Sequence, residues 1–298
     1  MTPGSRQAQG GAPSTKQGGE LHLPDGGCLV YDDAGAGRPI VFVHGWGMGA
    51  ALFEPQRAAL GQRFRIITPD LRGHGRSSRL EPGQSLQTLS DDLALLIRHL
   101  DLEEAILCGW SLGAMVAWDA LLRHSAGRIA GLVIEDMTPR IPGDAAWRLG
   151  LLGGHDEAAS ERAVMAMEQD WAAFCPVFVP RIFARNPTEN RHKLIQQTIR
   201  QAEKCDPASM ALLWRSMVHQ DFRPALASLQ TPSWVLYGEK SQLYAPTTSS
   251  WLEQTMPHAK RISFSSSGHA PHLEEPEAFN QTIESIADAL STTVTSTT

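Results

Sequence analysis

The chain has 298 residues, enough for one α/β domain with an inserted subdomain, and its 42% hydrophobic and 19% charged content is typical of a globular protein. A net charge of −6 argues against nucleic acid as a bulk partner, because phosphate binding requires a basic surface. No apolar run approaches the ~18 residues of a membrane span, so we expect no membrane insertion.

Both ends of the chain are polar. Residues 1–19 are rich in Gly, Ser, Gln and Pro and lack the apolar core of a secretory signal, so we expect a disordered leader. The Ser/Thr-rich residues 291–298 are expected to form a disordered tail. Four scattered cysteines, without a Cys-x-x-Cys pair or metal-ligand spacing to a histidine, predict free thiols and hence a cytoplasmic location.

Apolar strands and amphipathic helices alternate along the chain. After a strand pair over residues 19–33, strands are predicted at 39–43, 64–68, 105–108, 129–135, 233–237 and 261–264. Helices are predicted at 51–60, 86–100, 114–123, 247–256 and 276–290. This alternation favours a doubly wound, mostly parallel sheet built from residues 20–139 and 222–290. Residues 140–221 contain only helical patterns and are expected to form an insertion above the sheet.

Residues 109–113, Gly-Trp-Ser-Leu-Gly, lie between an apolar strand and an amphipathic helix. This order predicts a nucleophile elbow, in which Ser111 sits at a strained turn with its hydroxyl above the sheet. Side chains at Gly109 and Gly113 would collide with the neighbouring strand and helix. The unpaired N–H groups at the start of the helix would face negative charge forming at the serine. The alternative is an ordinary strand-to-helix turn.

A serine nucleophile needs a base to accept its proton. His269 follows the last predicted strand, on a loop at the same carboxyl edge of the sheet as Ser111, and is the expected base. Ten other histidines compete for this role, and His272, three residues further on, is the closest rival.

Two backbone N–H groups are expected to bind the oxyanion. One belongs to Leu112, directly after the nucleophile. The other belongs to Trp46, in the Gly-rich turn of residues 44–47 after the first central strand. Trp46 and Trp110 are also expected to form the floor of the substrate pocket. The alternative is that the glycines at 44–47 only allow a tight turn.

Four motifs together resemble the α/β-hydrolase fold family, over nearly all of residues 20–290. They are His-Gly-Trp-Gly at 44–47, Asp-Leu-Arg-Gly-His-Gly-Arg-Ser-Ser at 70–78, the elbow at 109–113, and Gly-His at 268–269 with Leu-Glu-Glu-Pro at 273–276. The resemblance implies an α/β-hydrolase fold in which the helical insertion, residues 140–221, is a cap over the serine. The second motif is expected to shape the loop beside the pocket and not to be catalytic.

The sequence departs from this family at the acid that orients the base. Most members have an aspartate in a Gly-x-x-Asp turn after the next-to-last strand, whereas residues 238–241 read Gly-Glu-Lys-Ser and place Ser241 there. Asp136, at the carboxyl end of the strand after the elbow helix, is the expected acid, as in some family members. Glu135 is adjacent but points to the opposite face. Three alternatives remain open: Glu239 is the acid, the site is a dyad without an acid, or the site is inactive. In these cases Asp136 would only cap a turn.

The insertion contains many large apolar side chains, of which a minority should line the pocket. This content predicts a substrate with an apolar acyl or alkyl part. Residues 181–200 hold five basic side chains against one acid, Glu189. They form either a solvated helix face or a docking patch for an anionic substrate handle, such as the phosphopantetheine arm of an acyl carrier protein. The basic residues are Arg181, Arg185, Arg191, Lys193 and Arg200.

Within the family, residues 44–47, 109–113 and 268–271 are most similar to pimeloyl-[acyl-carrier protein] methyl ester esterases. We therefore expect a serine hydrolase of carboxylic esters that forms an acyl-enzyme on Ser111, with His269 as base and no metal or cofactor. The alternatives are a lactone or C–C bond hydrolase with the same triad, and a hydrolase-fold binding protein without turnover.

Overall fold

In the computed structural model, which describes residues 18–124, 126–185 and 188–295, eight strands form one sheet in the order β1-β2-β4-β3-β5-β6-β7-β8. The strands are β1 (Gly19–His22), β2 (Cys28–Ala34), β3 (Pro39–Val43), β4 (Arg65–Pro69), β5 (Ala105–Trp110), β6 (Ile129–Glu135), β7 (Ser233–Gly238) and β8 (Ala259–Phe264). Strands β3 to β8 run parallel to one another, whereas β2 pairs antiparallel with both β4 and β1 at one edge. The predicted mostly parallel sheet is confirmed.

Helices connect the strands and cover the sheet. They are α1 (Glu54–Leu60), α2 (Leu86–His99), α3 (Leu112–Arg123), α4 (Glu157–Gln169), α5 (Trp171–Phe178), α6 (Glu189–Ala202), α7 (Pro207–Val218), α8 (Arg223–Leu226), α9 (Pro246–Thr255), α10 (Pro271–Glu274) and α11 (Pro276–Thr295). Helix α2 packs against α3, and α1 packs against α11. Every residue of the central strand β5 is buried, which explains its unbroken apolar run.

Helices α4 to α7 all lie between β6 and β7 in the chain. Helix α4 packs against α7 and α5, and a short 3₁₀ helix, Val179–Ile182, links α5 to α6. The indole N–H of Trp46, from the loop after β3, donates to the carbonyl oxygen of Met210 in α7 at 3.0 Å. These helices therefore contact the sheet at its carboxyl edge. Within the described ranges, no helix is long and apolar enough to cross a membrane.

The ends of the described chain differ from the sequence-based prediction. Helix α11 continues to Thr295, so residues 291–295, predicted to belong to a disordered tail, are helical. The hydroxyl groups of Ser291 and Thr292 donate to carbonyl oxygens one turn earlier, which accommodates these polar residues in the helix. At the other end, Gly19, the residue shared by the predicted leader and the predicted strand pair, belongs to β1. Residues 1–17 and 296–298 lie outside the described residues.

Candidate active site

The turn between β5 and α3 places Ser111 at the carboxyl edge of the sheet. Its φ of 54° is in the left-handed region, which residues other than glycine rarely adopt. A Cβ at Gly109 would lie 2.4 Å from the carbonyl oxygen of Gly113, and a Cβ at Gly113 would lie 2.1 Å from that of Val43. Glycine is required at both positions by close backbone contacts, as the sequence predicts.

Ser111 lines a cavity of about 230 Å³ between the sheet and the inserted helices. His269, Trp46 and Trp110 also line it. Aromatic and aliphatic side chains of the insertion supply much of the remaining wall, among them Met167, Phe174, Phe178, Trp214 and Met217. Such a wall suits an apolar group. In the described part of the chain, no three His, Cys, Asp or Glu side chains form a cluster that could hold a metal ion.

His269 and Asp136 form a buried pair beside this cavity. The Nδ1 atom of His269 lies 2.6 Å from Oδ2 of Asp136, and both residues are at most 5% exposed. Asp136 directly follows β6 and has a φ of 45°, a left-handed conformation that aspartate tolerates better than most residues. Burial raises the pKa of the Asp136 carboxyl group, although hydrogen bonds from His269 and Ser241 act in the opposite direction. With Nδ1–H donating to Asp136, Nε2 of His269 is available to accept a proton.

Ser241 occupies the sequence position where the family has an acid, and it contacts Asp136. Its Oγ donates to Oδ2 of Asp136 at 2.7 Å, the same oxygen that His269 approaches. The backbone N–H groups of Leu243 and Tyr244 donate to Ser241 Oγ at 3.3 Å, so the hydroxyl proton is directed to the carboxylate. Sequence reasoning treated Ser241 only as a missing acid and did not find this contact. The presence of a hydroxyl group at the aspartate position of the Gly-x-x-Asp turn was the signal that could have predicted it.

The structure brings Asp136, and not Glu239, to the imidazole of His269. Glu239 is exposed, and its backbone N–H donates to the carbonyl oxygen of Phe264 at 3.0 Å. The Oγ of Ser111 lies 3.9 Å from Sδ of Met137, and the described residues contain no hydrogen bond between Ser111 and His269. Asp136 and His269 are therefore paired, and Ser111 lines the same cavity without a hydrogen bond to His269 in the described residues.

Two buried histidines fix the loop of residues 44–47. The backbone N–H of Gly47 donates to Nε2 of His74 at 3.0 Å, and that of Leu71 donates to Nε2 of His44 at 2.9 Å. Burial lowers the pKa of both imidazoles, and that of His74 is well below its ordinary value. Both rings are therefore neutral and can accept these bonds near neutral pH. Sequence reasoning did not find this role for either histidine.

Two N–H groups beside Ser111 remain available to a bound molecule. Because the Gly47 N–H is bonded to His74, the Trp46 N–H is the free donor next to it. Leu112 is the first residue of α3, so its N–H has no partner within the helix. Within the described ranges, neither N–H donates to a protein acceptor.

The two tryptophans next to Ser111, Trp46 and Trp110, have different contacts. Trp46 is 3% exposed, and its ring meets aromatic rings of α5 and α7 at centroid distances of 5.2–6.3 Å. Trp110 donates its indole N–H to the carbonyl oxygen of His269 at 2.8 Å. Trp46 thus connects the insertion to the loop after β3, while Trp110 holds the backbone of the His269 loop.

The rival histidine, His272, lies in a second buried pair. Its Nδ1 is 2.8 Å from Oε1 of Glu135, and its backbone N–H donates to the same oxygen at 3.0 Å. The ring packs against Phe53 and Trp110 at centroid distances of 4.7 Å and is fully buried. It does not line the cavity of Ser111.

Comparisons with known proteins agree with this architecture. Residues 40–282 match the model of the alpha/beta hydrolase family. A pimeloyl-[acyl-carrier protein] methyl ester esterase from Aromatoleum aromaticum is 30% identical over 84% of this chain and 98% of its own length. A thermophilic esterase from Thermogutta terrifontis is 26% identical with a TM-score of 0.81, covering 92% of this chain and 99% of that one.

An esterase from Exiguobacterium antarcticum superposes with a TM-score of 0.85 over 91% of this chain and 100% of that one, at 23% identity. At this identity, the superposition supports the fold alone. Together, these relatives confirm the predicted fold and the predicted reaction class, carboxylic ester hydrolysis. The chain belongs to the alpha/beta hydrolase family.

Proposed function

We propose that this protein is a serine hydrolase in which Ser111, His269 and Asp136 cleave carboxylic esters with an apolar acyl part. The observation that carries the proposal is the buried His269–Asp136 pair, 2.6 Å apart, beside a strained serine in one aromatic-walled cavity. An ordinary strand-to-helix turn at Ser111 would not require a histidine and an aspartate to pair beside it, whereas a serine hydrolase does.

The reaction proceeds through two acyl transfers. Rotation of the Ser111 side chain towards His269 Nε2 allows the imidazole to accept the hydroxyl proton as Oγ attacks the ester carbonyl carbon. The N–H groups of Trp46 and Leu112 donate to the oxyanion of the tetrahedral intermediate. The intermediate expels the alcohol, which takes the proton from His269.

Water then replaces the alcohol. His269 accepts a proton from water, whose oxygen attacks the acyl carbon. The second intermediate then breaks its bond to Ser111 Oγ, which takes the proton back from His269, and the free acid is released. Asp136 keeps the imidazole oriented and balances its positive charge in both steps, while Ser241 holds the Asp136 carboxylate.

For the natural substrate, we propose a methyl ester of an acyl group on an acyl carrier protein. The 30% identical Aromatoleum aromaticum relative is named for that reaction, and the aromatic-walled cavity suits an acyl chain. We also propose a cytoplasmic location, because Cys28, Cys108, Cys175 and Cys205 are all free thiols.

The test is a series of p-nitrophenyl esters of increasing acyl length, with Ser111→Ala as the matched control. We expect a burst of nitrophenol from the wild type, no burst from Ser111→Ala, and labelling of Ser111 alone by a fluorophosphonate. Absence of both turnover and labelling would contradict the proposal and favour a binding protein. If lactones or C–C bonds are cleaved faster than every ester, the proposed triad is retained and the proposed substrate class is wrong.

A second assay compares the methyl ester of a pimeloyl group on its carrier protein with the same ester on free pantetheine. A lower KM for the carrier-bound ester is expected. Equal kinetic constants would count against the carrier and leave ester hydrolysis intact.

A further inference from the structure

The basic stretch from Arg181 to Arg200 does not form one uniform patch. Arg191 pairs with the buried Glu274 at 2.8 Å, and Lys193 pairs with Glu189 at 3.0 Å. Arg181, by contrast, has no carboxylate within ion-pair distance in the described residues. Its guanidinium is therefore available to bind an anionic group of a ligand.

Arg181 borders both the cavity of Ser111 and an outer groove. It lines the cavity together with Ser111 and His269, and no other lysine or arginine of the described chain does so. It also lines a groove of about 530 Å³, together with Arg185 and Lys240. Among the residues that the structure describes, no aspartate or glutamate lines either space. Arg181 thus lies between an apolar cavity and a groove whose charged lining side chains, among the described residues, are all positive.

The backbone around Arg181 is held firmly against the candidate active site. The carbonyl oxygen of Ile182 accepts a hydrogen bond from the His269 N–H at 2.7 Å. The carbonyl oxygen of Phe183 accepts one from the Gln242 side chain at 2.7 Å. Gln242 also accepts a bond from the Nε of Arg185 at 3.0 Å. The position of the basic groove relative to Ser111 is therefore fixed by the fold.

We propose that Arg181, supported by Arg185 and Lys240, forms an anion subsite that binds a carboxylate or phosphate group of the ester substrate. The apolar part of the substrate fills the aromatic cavity, and its anionic group lies at the junction with the groove. A guanidinium can bind either oxyanion through two parallel hydrogen bonds. The inference rests on the proposed ester hydrolysis and adds a charge requirement to it.

The test uses three p-nitrophenyl esters of equal acyl length that end in a methyl, a carboxylate or a phosphate group. For the wild type, we expect KM for at least one anionic ester to be about tenfold lower than for the neutral ester, with similar kcat. The anionic ester with the lower KM identifies the preferred group. Added salt should reduce the preference, because the subsite is open to solvent.

Arg181→Gln should abolish the preference, and Arg181→Glu should reverse it. Arg200→Gln is the matched control, since Arg200 is an exposed arginine of α6 that lines neither the cavity nor the groove. It should keep the tenfold ratio. Equal KM values for all three esters in the wild type, or an unchanged ratio in Arg181→Glu, would overturn the inference while ester hydrolysis stands.

A second readout does not depend on turnover. Binding of a long-chain α,ω-dicarboxylate to Ser111→Ala, measured by calorimetry, should weaken about tenfold when Arg181→Gln is added. The same affinity in both proteins would contradict the subsite. If no ester is hydrolysed but this difference in binding is found, ester hydrolysis fails and the anion subsite stands.

Discussion

Two adjacent residues of the chain, Glu135 and Asp136, each bind a histidine, and the two pairs have different surroundings. Asp136 meets His269 beside the cavity, whereas Glu135 meets His272 among the rings of Phe53, Phe279 and Trp110. The donor–acceptor distances, 2.6 and 2.8 Å, are similar. Access to the cavity, and not the hydrogen bond itself, distinguishes the proposed catalytic pair from the second pair.

The second pair has a structural explanation. Glu135 Oε1 accepts both the ring N–H and the backbone N–H of His272, so it fixes the start of α10 to the end of β6. His269 lies three residues earlier on the same loop. The carboxylate of Glu135 therefore positions the loop, and that of Asp136 positions the imidazole that faces the cavity.

The largest effect is expected for Asp136→Asn. This change keeps the shape of the side chain but removes the charge that orients and balances His269, so kcat should fall by a factor on the order of 10³ to 10⁴. Steady-state kinetics with a nitrophenyl ester would measure it. Glu135→Gln is the isosteric control and should change kcat less than tenfold. Equal losses of kcat in Asp136→Asn and Glu135→Gln would contradict the distinction between the two pairs. A loss of kcat of this size in Glu239→Gln would indicate that Glu239 is the acid.

Glu135→Leu should mainly affect stability. It leaves two buried donors of His272 without an acceptor, and we expect the free energy of unfolding to fall by about 3 kcal/mol. Urea denaturation followed by tryptophan fluorescence would measure the change. The folded variant should retain most of its kcat, because the bonds of His269 to Asp136, Trp110 and Ile182 do not involve Glu135. Unaltered stability would show that the second pair does not fix the loop.

Ser241→Ala should have a smaller effect on catalysis. The hydrogen bond from Ser241 lowers the pKa of Asp136, so its loss should raise that pKa further and shift the acidic limb of the kcat profile to higher pH. We expect about a tenfold loss of kcat on that limb, since a hydrogen bond to a charged group is lost. Ser241→Thr, which keeps the hydroxyl, should restore the profile. A profile identical to the wild type would rule out a positioning role.

The smallest effect concerns the stability of Asp136→Asn as a function of pH. Burial raises the folded-state pKa of Asp136 above its value in the unfolded chain, 3.8. The stability associated with the protonated carboxyl group is therefore fully present below that value and is lost as pH rises through the folded-state pKa. Asparagine does not titrate, so the variant should match the wild type near pH 4 and melt a few degrees higher at pH 7. Calorimetry at both pH values tests this, and a lower Tm at pH 7 would contradict it.

Local rules were sufficient to predict part of the site from the sequence. The elbow at Ser111 follows from glycine spacing between a strand and a helix, and the structure shows the two close contacts that require glycine. The rule that parallel strands end at one edge of the sheet also predicts that Asp136 and His269 face the same crevice. Their backbone positions could therefore be inferred without any contact information.

Other features depend on side-chain contacts between distant loops. The bond between Ser241 and Asp136 joins residues 105 positions apart, and the bond between Gly47 and His74 joins two loops. Neither follows from periodicity or motif spacing, because each depends on which rotamer the surrounding packing allows. The extension of α11 to Thr295 was missed for another reason, since Ser and Thr usually favour turns over helix interiors.

The hydrogen bond from the His269 N–H to the carbonyl oxygen of Ile182 has a consequence for protein engineering. The segment that would be exchanged to change substrate range, residues 140–221, also holds the backbone of the proposed base. A chimera that takes this segment from a relative would alter the catalytic loop together with the pocket. Chimeras should therefore retain residues 182–184 with residues 268–274, where Glu274 accepts the Ala184 N–H, and exchange only α4, α5 and α7.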